Sequence, residues 1–210
     1  METEMLNIFD ENRNQIGVAS REEVHLKGLW HETFHCWFID RQEEKEYIYF
    51  QYRSKDKKDY PGLLDITAAG HLMSHESVMD GLREVEEELG IQVDFTDLVP
   101  LGVIDYMAEK ENFIDKELAN VFLYPSGHTL EEFKPQQEEV TGIYRIDLED
   151  FHELWFEGRD HIQAEGFQIE RDERVTSSIK VCKDDFVPHE DYYYRRVLHS
   201  IREMEREYAD

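Results

Sequence analysis

Three glutamates, Glu84, Glu87 and Glu88, stand at helical spacing in a stretch of helical periodicity. On an α-helix, residues three and four positions apart are neighbours, so these carboxylates would lie side by side. Repulsion between such charges costs a helix roughly a few tenths of a kcal/mol per pair, and a cation among them would remove that cost. Clusters made only of carboxylate oxygens suit hard ions such as Mg²⁺ or Mn²⁺. The residue types therefore predict a divalent metal site.

The helix that carries these glutamates is predicted to begin after Ser77 and to end at Gly90. Ser77 followed by Asp80 resembles a capping box, and glycine favours a left-handed helix end. Gly81 lies inside the helix at a cost of about 1 kcal/mol relative to alanine, which indicates close packing. Four apolar residues fall within about 60° on a helical wheel and predict the core-facing side: Val78, Leu82, Val85 and Leu89.

A glutamate-rich helix face is often simply solvated, but here the glutamates belong to a longer pattern. The segment REVEEELGI at 83–91 resembles the second half of the Nudix box, and Gly70 followed by Glu76 resembles its first half. Six residues, 77–82, separate the two halves where the usual box has seven. This departure makes the register of Glu76 less certain than that of the glutamates at 84–88, and it suggests a shortened loop before the helix.

The resemblance implies a fold and a reaction. The fold would be of the α/β (α+β) class, an α/β/α sandwich around a mixed β-sheet. The reaction would be hydrolysis of a diphosphate linkage in a small organic diphosphate, such as a nucleoside diphosphate linked to another group. Mg²⁺, with Mn²⁺ as an alternative, would be held by the three glutamates and by the backbone carbonyl of Ala69. Structural support would come from Gly70, Glu76, Arg83 and Gly90, with Arg83 orienting the glutamates.

The composition narrows the class of protein. The chain has 210 residues and a formal net charge of −26, which argues against binding to nucleic acid or to anionic membranes because the field repels phosphate polymers. Two cysteines, Cys36 and Cys182, do not suggest a disulfide scaffold. The acidic N-terminus does not resemble a signal peptide, and no apolar run approaches transmembrane length. We therefore expect a soluble cytoplasmic protein.

The order of elements predicts one domain with an appendage. Residues 1–157 would form the Nudix-like domain, including N-terminal strands, and residues 158–210 a C-terminal extension, a hairpin plus a helix, packed on the same domain. A polar loop is predicted at 109–116. The remaining predictions are strands at 5–9, 16–19, 31–39, 47–52, 63–69, 92–95, 98–107, 117–124, 139–146, 162–169 and 177–186, and helical segments at 21–27, 147–157 and 190–208.

The N-terminal part carries a second resemblance. The pattern from Phe9 to Phe34 is similar to the opening of type I isopentenyl-diphosphate isomerases, which share the Nudix fold. Position by position, the metal site of those enzymes falls on His25, His31, His71, Asp115 and Glu117. Asp115 stands where those enzymes use glutamate. The resemblance implies a candidate second metal site formed by His31, His71 and Glu117, whereas the alternative for each histidine is a structural role.

One residue separates this chain from the isomerases. Those enzymes place a catalytic cysteine immediately before a Gly-His pair, and here Ala69 precedes Gly70 and His71. Alanine has no ionisable group and cannot exchange a proton with an allylic carbon. The complete set of helix glutamates favours a hydrolase. Two alternatives stay open: an isomerase that uses a displaced acid, and a non-catalytic module that binds diphosphates.

The general base and the substrate contacts stay open at this point. Glu88 and Glu117 are candidates for the base, as are Glu138 and Glu139, and Glu87 is grouped with the catalytic residues. The basic loop 53–62 is a candidate for phosphate binding through Arg53 and Lys55, alongside Lys57 and Lys58, or is merely solvated. Four aromatic residues are candidates for covering a base or a prenyl chain, or belong to the core: Trp30, Trp37, Tyr106 and Phe113. A homodimer is a further alternative.

Overall fold

The computed structural model describes residues 4–110 and 113–209. The strands are β1 (Met5–Phe9), β2 (Gln15–Ser20), β3 (Trp30–Gln42), β4 (Lys45–Arg53), β5 (Leu64–Ile66), β6 (Ala68–His71), β7 (Val99–Lys110), β8 (Phe113–Pro125), β9 (Val140–Asp147), β10 (Ile162–Glu170) and β11 (Glu173–Val181). The helices are α1 (Arg21–Lys27), α2 (Arg83–Leu89), α3 (Leu148–His152) and α4 (Asp191–Ala209). No helix within these ranges is long and apolar enough to span a membrane.

The strands form one mixed sheet organised around β3. Its main path runs β11-β10-β9-β4-β3-β1-β2, with β6 also paired to β3 and the β7–β8 hairpin joined through β8. The pairing of β3 with β8 is parallel, whereas the β3–β6 and β4–β9 pairs are antiparallel. The mixed sheet of the predicted α+β Nudix fold is thus confirmed. The hairpin β10–β11 from the C-terminal extension continues the same sheet through β9.

The two faces of β3 pack against different helices. Side chains alternate across a strand, so Phe34 and Cys36 join the core on one face together with Val85 of α2. Trp37 on the opposite face joins a second core that includes Tyr193 and other residues of α4. The sheet is therefore covered by the glutamate helix on one side and by the C-terminal helix on the other.

Three local predictions were wrong. The strand predicted at 177–186 ends at Val181, and Lys183–Asp185 form a 3₁₀ turn. Residues 92–94 form no strand, and Phe95–Asp97 form a 3₁₀ turn. The Asp94 side chain accepts hydrogen bonds from the backbone N–H and hydroxyl of Thr96, and such local bonding competes with sheet pairing. The polar loop at 109–116 is the far end of the β7–β8 hairpin, as far as the described residues show, since 111 and 112 lie outside them.

The glutamate helix begins later than predicted. Residues Val78–Leu82 form a 3₁₀ helix, and only Arg83–Leu89 are α-helical. A 3₁₀ helix rises about 2.0 Å per residue against about 1.5 Å in an α-helix, so its five residues cover the length of more than six α-helical ones. The 3₁₀ segment thus spans the distance between the two halves of the box with fewer residues than an α-helix would need. Gly81 permits the contact with the sheet, because an added Cβ would lie 2.6 Å from Phe34.

Candidate active site

One cavity of about 400 Å³ gathers most of the predicted site residues. Its walls come from β6, α2, β8, the loop after β4 and the segment before α4. The predicted residues that line it are Arg53, Ala69, Gly70, His71, Arg83, Glu84, Glu87, Glu88 and Glu117, together with His25, Tyr106, Phe113, Asp115 and Glu139. His31, Glu76 and Gly90 are not among the lining residues. Lys55 is exposed and does not line the cavity, whereas Lys57 does. Of the lysines predicted in this loop, Lys57 rather than Lys55 therefore faces the cavity.

Arg83 connects the helix glutamates to the preceding turn. Its Nε donates to Glu76 at 2.6 Å, and its Nη1 donates to Glu84 at 2.6 Å and to Glu87 at 3.1 Å. Its Nη2 donates to the carbonyl of His71 at 3.0 Å. Glu76 also accepts the backbone N–H of Met73 at 2.8 Å. One guanidinium therefore holds two helix carboxylates and the turn after β6 in register.

Glu88 is the most deeply buried of the helix glutamates, and its contacts come from neutral groups. Its Oε2 accepts the backbone N–H of Ala69 at 3.0 Å and the side-chain amide of Gln51 at 3.1 Å. Burial raises the pKa of Glu88 to about 8 and that of Glu84 to about 7. Gly70 is required here because an added Cβ would lie 2.1 Å from the Glu84 carboxyl group.

A second group of ligand-type side chains lies in the same part of the fold. His25 comes from α1, His31 from the start of β3, His71 from the end of β6, and Asp115 and Glu117 from β8. We call these five residues the histidine cluster. The ligand atoms of His25, His31 and His71 lie within 4.8 Å of one another, as do those of His31, Asp115 and Glu117. Among the described residues, the helix glutamates do not form such a close group.

Backbone carbonyls fix the tautomers of two of these histidines. His25 Nδ1 donates to the carbonyl of Arg21 at 2.8 Å, and His31 Nδ1 donates to that of Leu29 at 3.1 Å. Both Nε2 atoms lie 3.5 Å from Asp115 Oδ1. His31 Nε2 and Asp115 Oδ1 are buried without a hydrogen-bond partner. Orphaned ligand atoms beside fixed tautomers are the arrangement that a bound cation would satisfy.

Burial sets the charge of this cluster. It lowers the pKa of His31 to about 4 and, with the charge of His31, holds the pKa of His71 well below its ordinary value. Burial and the neighbouring Asp115 hold the pKa of Glu117 well above its ordinary value. Neutral imidazoles are the form that binds metal, and a cation would favour the ionised form of Glu117.

Several residues at the cavity were not singled out from the sequence. Asp65 Oδ2 accepts from Arg53 Nη1 at 2.7 Å, and its Oδ1 lies 2.9 Å from His189 Nε2. Burial opposes ionisation of Asp65, but His189 and Arg53 hold its pKa well below the ordinary value. Lys57 pairs with Glu139 at the cavity wall. In the sequence, Asp65 could have been noticed as a charged residue between the apolar residues of strand β5.

The predicted aromatic residues divide between core and cavity. Trp37 is completely buried, and Trp30 does not line the cavity. Phe113 lines it and stacks on His25 with ring centroids 4.6 Å apart. Tyr106 lines it and packs on His189 at 5.0 Å. The aromatic groups next to the cavity are therefore already in contact with histidines.

The family model of the NUDIX domain matches residues 15–165, most of the chain. The chain belongs to the Nudix family. The predicted family is thereby confirmed, and membership identifies the chain as a hydrolase of diphosphate or other acid-anhydride bonds. Nudix enzymes in general use divalent metal ions.

The relatives of this Nudix chain match it over different shares of its length. An uncharacterised Nudix hydrolase of Clostridium acetobutylicum is 39% identical over 96% of this chain and 98% of that protein. Nudix hydrolase 3 of Arabidopsis thaliana is 31% identical over 72% of this chain, but the match covers only 20% of that protein. Isopentenyl-diphosphate Delta-isomerase 1 of Photorhabdus laumondii is 32% identical over 41% of this chain and 49% of that enzyme.

The fold also has a counterpart among solved structures. The crystal structure of DR0079 from Deinococcus radiodurans superimposes with a TM-score of 0.53 over 74% of this chain and 91% of that one. The sequences are 18% identical in that alignment, so the similarity concerns the fold alone.

Proposed function

We propose that this protein is a Mg²⁺-dependent hydrolase of small organic diphosphates, such as a nucleoside diphosphate linked to another group. The observation that carries the proposal is the burial of Glu84 and Glu88 at a cavity that Arg53 and Lys57 also line. Buried carboxylates with raised pKa values gain most from a cation. The net charge of −26 favours small substrates over nucleic acids.

The residues present fit two metal positions. Glu84, Glu87 and Glu88, with the carbonyl of Ala69, would hold Mg²⁺ or Mn²⁺ at the first. His31, His71 and Glu117, with His25 and Asp115, would form the second, because their ligand atoms converge and two of them lack partners. Such ions, when bound, neutralise diphosphate oxygens and lower the pKa of a bound water.

The side chains of the chain itself position the reacting groups. Both hydrogen bonds to Glu88 end on Oε2, which leaves Oε1 to accept a proton from water. A cation at the first position would favour the ionised form of Glu88, so that this oxygen can act as the general base. Glu117 is the second candidate for this base. Lys57 and Arg53 supply positive charge for phosphate oxygens.

Measurement of Mg²⁺-dependent phosphate release tests this function. Nucleoside, sugar and prenyl diphosphates would be screened with the wild type and with a variant carrying Glu87→Gln and Glu88→Gln. We expect a loss of about 10²–10⁴-fold, the range for a positioned general base. Glu86→Gln is the matched control, since Glu86 is exposed on the same helix. Undiminished release by the double variant would refute the assignment of the site.

An isomerase is the second candidate, and the histidine cluster together with the similarity to the Photorhabdus laumondii enzyme favours it. Against it, residue 69 is alanine, and burial holds the pKa of the Cys36 thiol well above its ordinary value. Deuterium incorporation from D₂O into isopentenyl diphosphate would support isomerisation. Tight binding of a diphosphate without turnover would instead favour a non-catalytic binding module.

A further inference from the structure

A buried chain of polar side chains links the C-terminal helix to Glu117. His35 lies on the face of β3 that also carries Trp37 and is covered by α4. It is 3% exposed, and its ring lies between Tyr193 of α4 and Glu117 of β8. The mechanism proposed above uses neither His35 nor Tyr193.

The hydrogen bonds in this chain have one consistent direction. Trp37 Nε1, which can only donate, bonds to the Tyr193 hydroxyl oxygen at 3.1 Å. The Tyr193 hydroxyl lies 2.8 Å from His35 Nδ1. If Nδ1 carried the hydrogen, the tyrosine would accept twice and its own buried hydrogen would have no acceptor among the described residues, at a cost of about 1–3 kcal/mol. Tyr193 therefore donates to Nδ1, and the hydrogen of His35 lies on Nε2.

This tautomer determines how Glu117 is held. His35 Nε2 donates to the Thr33 hydroxyl oxygen at 3.3 Å, and that hydroxyl donates to Glu117 Oε2 at 3.3 Å. The imidazole nitrogen itself lies 3.1 Å from the same carboxylate oxygen. His35 therefore supports Glu117 through Thr33, and Oε1 is left for a cation. Hydrogen bonds to a ligand from outside the metal's own contacts orient it and raise its affinity for the metal.

We propose that His35 is a positioning residue for Glu117 and that Tyr193, from the C-terminal extension, sets its tautomer. This inference rests on the proposed function, in which Glu117 belongs to the second metal position. It gives residues 158–210 a role at the site as well as in packing. The extension reaches the cavity at a second point, where His189 contacts Asp65 at 2.9 Å and stacks on Tyr193 with ring centroids 5.2 Å apart.

Two amide substitutions separate positioning from packing. In His35→Gln, the side-chain amide nitrogen can occupy the place of Nε2 and donate to the Thr33 hydroxyl, which holds Glu117. In His35→Asn, the shorter amide reaches only the place of Nδ1 and loses this link to Glu117. Both variants remove the ring and keep a polar amide. A purely structural role would lower the melting temperature of His35→Asn more, because asparagine leaves a larger cavity, but it would not lower metal affinity in the folded protein. Tyr193→Phe keeps the ring packing and removes only the hydroxyl, and it serves as the test if His35→Asn does not fold.

The measurement is Mn²⁺ binding followed by electron paramagnetic resonance, with thermal melting to establish folding. We expect His35→Asn to lose about 10–100-fold in affinity, the range for the loss of such supporting contacts. His35→Gln should stay within about threefold of the wild type, and Tyr193→Phe should fall between the two. In kinetics with saturating Mn²⁺, kcat should recover for His35→Asn.

The reference is His31→Ala, which removes a proposed ligand directly. If its Mn²⁺ binding equals that of the wild type, the second metal position is wrong and the inference falls with it. If His31→Ala loses binding while His35→Asn, His35→Gln and Tyr193→Phe all bind as the wild type does, the metal position stands and the role of His35 is refuted. Equal losses in His35→Asn and His35→Gln would likewise refute positioning through Nε2.

Discussion

The helix glutamates and four members of the histidine cluster (all but His31) border the same cavity, but the two groups are held in different ways. Arg83 holds Glu84 and Glu87 by charge, and Glu87 is 54% exposed. The histidine cluster is largely buried, and its three imidazole rings have centroids 5.1–5.2 Å apart. Its atoms already converge, whereas those of the glutamates do not. We infer that the histidine cluster is preorganised for a retained ion and that the glutamates close around an exchangeable one.

The two groups also differ in the ions that they suit. Carboxylates alone favour Mg²⁺ and Mn²⁺, whereas a mixed set of imidazoles and carboxylates accepts Mn²⁺ and also ions later in the first transition series. The proposed two positions would thus differ both in the ions that they accept and in how readily they exchange them. Four substitutions test the separation, beginning with the largest expected effect.

Gly70→Ala should disrupt the glutamate position with little effect on the histidine cluster. The new methyl group would lie 2.1 Å from the Glu84 carboxyl, so Glu84 must move away from its place beside the cavity. Because misplacement by about 1 Å can cost about 10²-fold in rate, we expect a loss of that size in kcat for Mg²⁺-dependent phosphate release. Gly127→Ala is the control, since nothing lies within 4 Å of its added Cβ. Equal activity of the two variants would contradict the role assigned to Gly70.

His31→Ala should disrupt the histidine cluster and leave the glutamate position intact. The side chain is completely buried and its Nε2 is one of the orphaned atoms, so its removal should abolish retention of metal during dialysis. We expect the affinity for metal to fall at least about tenfold, because the loss of a direct ligand should cost no less than the loss of a group that only supports a ligand. Metal content after dialysis measures this, and His75→Ala, an exposed histidine before the helix, is the control. Unchanged metal content would show that the histidine cluster is not a metal position.

Glu88→Gln should stabilise the metal-free protein at high pH. Because burial raises the pKa of Glu88 to about 8 from an ordinary value of 4.5, the folded protein binds this proton more tightly than the unfolded chain. That stabilisation is complete below pH 4.5 and is lost as the pH rises through 8.

The free energy of unfolding of the wild type should therefore fall relative to Glu88→Gln between pH 5 and 8, by on the order of 3 kcal/mol. Urea unfolding in EDTA measures it, and Mg²⁺ should restore the wild type because a cation stabilises the ionised carboxylate. Glu86→Gln should show no such trend. A difference that is constant with pH would show that Glu88 ionises freely.

Lys57→Gln should have the smallest effect. Lys57 lines the cavity and pairs with Glu139, whereas Lys55 is exposed outside it. Because charge interactions near solvent contribute up to about 1 kcal/mol, we expect KM to rise by about threefold with Lys57→Gln and to stay unchanged with Lys55→Gln. A larger effect at Lys55 would place the phosphate contact elsewhere on the loop.

The sequence predicted the parts of the site that depend on local pattern. Arg83, Gly81 and Gly90 act within or beside one helix, so their spacing was sufficient: Arg83 bonds to Glu87 one turn away, and Gly90 has a φ of 67°. The histidine cluster came from resemblance, which transfers positions between proteins of one fold. The later start of α2 was not predicted, because a 3₁₀ turn and an α-helix share most of their residue preferences.

The contacts that were not predicted join distant parts of the chain. His189 meets Asp65 across 124 positions, and Tyr193 meets His35 across 158. No periodicity or spacing in the sequence indicates such a pairing, because these side chains come together only in the folded protein. Lys57 rather than Lys55 faces the cavity for a similar reason, since the turn of the loop decides which side chain points inward.

Calorimetric titration of the metal-free protein with Mn²⁺ tests the two-position account most directly. The wild type should show a tight and a weaker class of sites. His31→Ala should lose the tight class alone, and the double variant with Glu87→Gln and Glu88→Gln should lose the weaker class alone together with phosphate release. A single class in the wild type, or the loss of both classes in either variant, would contradict two separate metal positions.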